Sequence, residues 1–132
     1  MDPASPQANL GPRKQDLRSR TKAFASGIIR FYCCLPKTRV EVQVLGKQLL
    51  RSGTSVAANY REASRARSDA EFISKADQCA QEADESMLWL ELLRDDCLIR
   101  SEDLTRLLKE ADELVSIFVT MSKKVKARLA RG

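Results

Sequence analysis

At 132 residues and 14.8 kDa the chain falls in the single-domain range and is long enough to bury a core of its own. Its 43% hydrophobic content includes no run of about 18 apolar residues, so no membrane-crossing helix is expected. The first eleven residues have neither the charged start nor the apolar centre of a secretory signal, and the expected location is the cytoplasm. With no histidine anywhere, Ser-His and Cys-His nucleophile pairs, His-containing zinc sites and the Glu-x-x-His pairs of di-iron bundles are excluded.

Residues 1–12 are rich in Pro, Ala, Gln and Asn without periodicity and read as a disordered leader ahead of one domain over 13–132. From about 13 to 35, apolar residues recur as Leu17, Phe24, Ile28, Phe31 or Tyr32, and Leu35, the three-and-four spacing of one helix face. Pro36 ends that helix. No proline occurs after it, which a turn-rich β protein would rarely show.

Thr38-Arg39-Val40-Glu41 has the form of a capping box opening a second helix over about 39–66. Its core stripe runs Val42, Leu45, Leu49, Ser52, Val56, Tyr60, Ala63. Gly53, in a helix interior, predicts a bend or a close approach of another helix. Ser68-Asp69-Ala70-Glu71 is a second capping box, opening a helix over about 69–96 whose stripe is Phe72, Ala76, Cys79, Ala83, Met87, Leu90. Its end, Met87 to Leu93, is apolar almost all round, so it needs a second partner face. Ser101, followed by Glu102 and Asp103, opens a fourth helix over about 102–129, with Leu104, Leu107, Leu108, Ala111, Leu114, Val115, Phe118, Met121, Val125 and Leu129 on one side. The fold predicted is all-α, an antiparallel up-down-up-down four-helix bundle.

Cys33, Cys34, Cys79 and Cys97 match neither a disulfide framework nor a zinc spacing, and reduced thiols packed among the helices are expected. Asp77, Asp84 and Glu91 recur every seven residues, with Glu82 and Glu85 beside them; a solvated or salt-bridged face accounts for them better than a carboxylate-only Mg²⁺ or Ca²⁺ site. Gly46-Lys47 lacks the rest of a phosphate loop. No catalytic residue, metal or cofactor is predicted, and the chain reads as a binding protein.

The net charge of +5 is segregated: +5 over 13–36, +5 over 37–67, −7 over 68–97 and +3 over 98–132, with Asp2 completing the total. On the second helix a basic stripe, Lys47, Arg51, Arg61, Arg65, continued by Arg67, runs beside a polar one, Gln48, Ser55, Asn59, Glu62. Guanidinium forks suit phosphate oxygens, so the basic row is a candidate nucleic-acid surface; an ordinary salt-bridging face is the other reading. The polar row, with Trp89, marks an internal polar network or a subunit interface. Aromatic residues make up only 5%, which predicts recognition of backbone and shape over single-base readout.

The block Leu45 to Ala63 (LGKQLLRSGTSVAANYREA), with Glu71-Phe72-Ile73 and Glu82 to Leu93 (EADESMLWLELL), resembles the bacterial four-helix-bundle proteins encoded within intervening sequences of 23S ribosomal RNA genes. The likeness spans about 17–128; Ala57 stands where that family commonly has glycine. That family is similar to the accessory variability protein of diversity-generating retroelements, a basic five-fold ring that binds nucleic acid and a reverse transcriptase. The resemblance implies a homopentameric ring; at +5 per protomer its charge is about +25. The function expected is a homo-oligomer binding RNA or DNA through basic surface of helices 1 and 2. The alternative is a protein-interaction scaffold in which the charge serves subunit assembly.

Overall fold

The computed structural model describes residues 14–132, with side chains from Asp16 onward; the predicted leader, 1–12, lies outside the described residues. The described residues form four helices and no strand: α1 (Lys14–Cys33), α2 (Val40–Ser64), α3 (Asp69–Asp95) and α4 (Glu102–Arg131). Each packs mainly on its neighbours in sequence, with a lighter contact of α1 on α4, and the result is a four-helix bundle.

The helix starts follow from local chemistry, with two departures from expectation. Ser101 caps α4, its hydroxyl accepting from the Asp103 N–H at 3.1 Å and the Leu104 N–H at 3.4 Å. Ser68 caps α3 by accepting from the Glu71 N–H at 3.1 Å, but the Glu71 carboxylate accepts from the Arg67 N–H, one residue earlier than a reciprocal box requires. At α2 the predicted box does not form. The helix begins at Val40, so Arg39 occupies the cap position, Thr38 lies one residue too early, and no side chain caps the turn. The Arg39 guanidinium instead donates to Glu41 at 2.8 Å and to the Cys97 carbonyl at 2.8 Å, tying the start of α2 to the α3–α4 connection.

The core contains Leu17, Phe24, Ile28, Phe31 and Leu35 of the α1 end, Val42, Leu49, Val56 and Tyr60 of α2, Leu90 and Leu93 of α3, and Leu104, Leu114 and Phe118 of α4. The all-round apolarity near the end of α3 reflects packing on both α2 and α4: Leu90 and Leu93 are buried, Met87 and Trp89 pack beside the core, and Leu88 stays exposed. At Gly53 the structure has a close approach: an added Cβ would lie 2.7 Å from Ile28 Cγ1. Ser52, at the edge of the stripe, finds its partner across the helix pair, 2.8 Å from Ser86 Oγ.

Cys79 and Cys97 are buried, as packed thiols should be, but Cys33 and Cys34 are exposed. They fall at the end of α1 and in the turn after it, where Phe31 and Leu35 take the core-facing positions. Burial pushes the Cys79 thiol up to about 12, with the Glu62 carboxylate adding to the rise, so it is unreactive at neutral pH.

Candidate nucleic-acid interface

The basic row of α2 divides into two parts. Arg51 is engaged by α3: its guanidinium meets Glu82 at 3.2 Å and Glu85 at 3.0 Å, and its Nε donates to Gln48 at 3.5 Å. Lys47, Arg61, Arg65 and Arg67 are exposed, and among the described residues their side chains have no carboxylate within 4 Å. On α1, Arg18, Lys22 and Arg30 are likewise exposed and unpaired, whereas Arg20 is held by Glu110 through two hydrogen bonds of 2.7 and 2.8 Å. That bond, with the nearby Glu113, raises the Arg20 pKa.

Arg61, Arg65 and Arg67 converge. They line a groove of about 330 Å³ together with Glu62, Glu71 and Lys75, at the turn between α2 and α3. Glu62 is bridged by Lys75 at 3.3 Å, so three guanidiniums face one carboxylate, Glu71, which already accepts a backbone N–H. The balance there is cationic.

The polar row does not close on itself. Gln48 is exposed, Glu62 is spent on Lys75, and Ser55 and Asn59 are half-buried without a side-chain hydrogen bond among the described residues. Trp89 is half-buried, its indole N–H shielded and unpartnered. These five are therefore not joined in one hydrogen-bonded network. None of the described residues forms a cluster of three or more His, Cys, Asp or Glu able to hold a metal ion, and no helix is long and apolar enough to cross a membrane.

Sequence reasoning missed a second feature of this end of the bundle. A crevice of about 630 Å³ opens among Tyr60, Phe72, Met121 and Val125, with Arg67 and Arg128 among its lining residues. Phe72, Met121 and Val125 read as stripe residues in the sequence. Nothing in their spacing signals that the bundle end would stay open above them.

The fold and the sequence blocks it carries agree with a family model described as "23S rRNA-intervening sequence protein", which matches residues 13–120. The chain belongs to the 23S rRNA-intervening sequence protein family. A crystal structure from Bacteroides thetaiotaomicron, described as a protein with unknown function from the S23 ribosomal protein family, superposes with a TM-score of 0.75 at 34% identity. The match covers 83% of this chain and 97% of that one. No curated protein matches. In this family member the matched span takes in all of α2 and α3, and so both the unpaired arginines and the groove they line.

Proposed function

We propose that the protein is a non-enzymatic, cytoplasmic homo-oligomer that binds nucleic acid, RNA first, through the basic surface of α1 and α2. The observation that carries this reading is the convergence of Arg61, Arg65 and Arg67 on one groove with only Glu71 to oppose them. An exposed cation already bridged to its own protein offers little to a polyanion. These three, with Lys47 and with Arg18, Lys22 and Arg30 of α1, remain available for phosphate oxygens, which guanidinium forks match well. The family description, which concerns an intervening sequence of 23S rRNA, is consistent with an RNA partner.

On this reading the helices run antiparallel, up-down-up-down. The order of cross-helix pairs supports it: Glu62 with Lys75, Ser52 with Ser86, Arg51 with Glu82 and Glu85, so that advancing along α3 means retreating along α2. Five copies closing into a ring would multiply the groove by symmetry, and no metal or cofactor takes part. Half-buried Ser55 and Asn59, with the shielded indole of Trp89, are the polar groups a neighbouring subunit would satisfy.

The test is binding to a structured RNA, by fluorescence anisotropy across a salt series, on material whose mass is fixed by light scattering. Binding at low salt that weakens steeply as salt rises is expected. No binding at low salt, or binding indifferent to salt, overturns the reading. A specific observation favours a second reading: among the described residues Asp84 and Glu91 on α3 have no salt-bridge partner, and with exposed Leu88 between them they offer a face for the basic helices of a neighbouring copy. Reversing Arg61, Arg65 and Arg67 to Glu separates the two. Lost RNA retention with an intact oligomer supports the first, and dissociation supports the scaffold. Arg51→Gln is the control, expected to change RNA affinity little because Arg51 is already paired.

A further inference from the structure

We infer that the crevice among Tyr60, Phe72, Met121 and Val125 receives an unpaired base of a nucleic-acid strand whose neighbouring phosphates lie on Arg67, Arg65 and Arg61. This rests on the nucleic-acid reading and says more than it: the preferred ligand is one with a bulged or looped-out nucleotide.

Two features at one end of the bundle carry the inference. The crevice, at about 630 Å³, is within the size range of small-molecule sites, and half-buried Phe72 and Met121 line it above Tyr60, which is buried against Phe118. The adjoining groove, about 330 Å³, is cationic. Arg67 lines both, so the apolar opening and the phosphate-binding trough share a wall. A nucleotide has the same division: a flat base that gains by leaving water for an aromatic surface, joined through a sugar to a charged phosphodiester.

The charges suit a polyanion more than a neutral peptide. Asp69 at the crevice is bridged by Arg128 at 2.7 Å and Glu62 by Lys75 at 3.3 Å, which leaves Arg61, Arg65 and Arg67 in excess. Ser64 and Ser68 also line the crevice, their hydroxyls already bonded to the Arg61 carbonyl and the Glu71 N–H. A base stacked inside a duplex cannot enter. A base already unpaired enters without the cost of unstacking. The low aromatic content predicts recognition of backbone and shape over single-base readout; the structure places one partly exposed ring, Phe72, beside the arginines.

The experiment compares two RNA hairpins of equal length on the full chain, one fully paired and one carrying a single 2-aminopurine bulge, with DNA hairpins of the same design alongside. Stacking one base on an aromatic surface corresponds to a preference of about 5- to 150-fold for the bulged hairpin, with a change in 2-aminopurine emission on binding. Phe72→Ala should reduce that preference while leaving the paired hairpin's affinity unchanged, and Arg67→Gln should weaken both. Because Phe72 is half-buried, Val125→Trp, which fills the crevice from α4, serves as the second variant, with folding of each checked by circular dichroism. A preference on both RNA and DNA assigns recognition to base and phosphate; a preference on RNA alone adds the 2′-hydroxyl. Equal affinity for paired and bulged hairpins, or a preference that survives both crevice variants, overturns the inference while leaving polyanion binding standing. Absence of binding by either hairpin at low salt overturns both.

Discussion

Gly53→Ala is a sharp test of how α1 and α2 meet. Replacing a glycine in a helix interior by alanine ordinarily stabilises the helix by about 1 kcal/mol. Here the new Cβ would lie 2.7 Å from Ile28 Cγ1, 3.0 Å from Cγ2 and 3.2 Å from Cβ. All three are the branched base of a fully buried side chain, which has one strongly preferred rotamer on a helix and nowhere to swing. Overpacking of this kind costs about 1–3 kcal/mol, so the net expectation is a loss of up to about 2 kcal/mol. Gly46→Ala is the internal comparison. Its added Cβ meets the tip of Leu35 and two ring atoms of Tyr32, groups that can give way, so the result should lie close to neutral. Urea unfolding at one fixed protomer concentration reads both, since assembly would otherwise shift the midpoints. Pairing Gly53→Ala with Ile28→Ala removes Cγ1 and Cγ2, and the two changes should then be less damaging together than their sum. If Gly53→Ala is more stable than the parent, or if the pair is additive, the close approach assigned to these helices is wrong.

Leu98 has φ 59°, and the Ile99 N–H donates to the Leu93 carbonyl at 2.9 Å, so Leu98 takes the left-handed place that glycine usually fills after a helix. Leu98→Gly should raise stability by about 1 kcal/mol, read by thermal melting, because Leu98 is 65% exposed and little packing is lost; an unchanged or lower midpoint counts against it. Burial raises Cys79 from 9.0, and Tyr60 from 10.0, each to about 12. Both groups release their protons more readily in the unfolded chain, so the stability they contribute is present below pH 9 and is lost as pH rises from about 9 to 12. Cys79→Ala and Tyr60→Phe should each flatten the fall of the urea midpoint over that window relative to the parent, and an unaltered slope refutes the assignment.

Much of the bundle was legible because the apolar spacing is regular. Leu17, Phe24 and Ile28 on α1, and Leu104, Leu114 and Phe118 on α4, are core residues where the three-and-four pattern puts them. The start of α2 was not, because a capping box is a pattern of residue types while the cap depends on which residue leaves the helix first; Arg39 does, held by Glu41 and the Cys97 carbonyl. Cys33 and Cys34 were misplaced for a related reason, since two adjacent residues cannot both face the core of a helix and Phe31 and Leu35 already do. The basic row was legible as a row, but its division was not. Whether Arg51 or Arg61 is paired depends on which α3 residue lies opposite, and that register is a tertiary property.

The division has a physical origin at the bundle end itself. An α3 helix starting there wants acids in its first turn and an α4 helix finishing there wants cations in its last, and both conditions are met, by Asp69 and Glu71 and by Arg128 and Arg131. Those groups then meet: Arg128 bridges Asp69 at 2.7 Å, Lys126 bridges Asp77 at 3.3 Å, and Glu71 turns to the Arg67 N–H. The acids of early α3 are thereby largely consumed by α4 and by the cap, while Lys75 of α3 takes Glu62 of α2. Halfway along α3, Glu82 and Glu85 have no such competitor and take Arg51. Arg61, Arg65 and Arg67 are left with cationic charge beside an opening in the core, which is why the nucleic-acid reading centres on this end of α2.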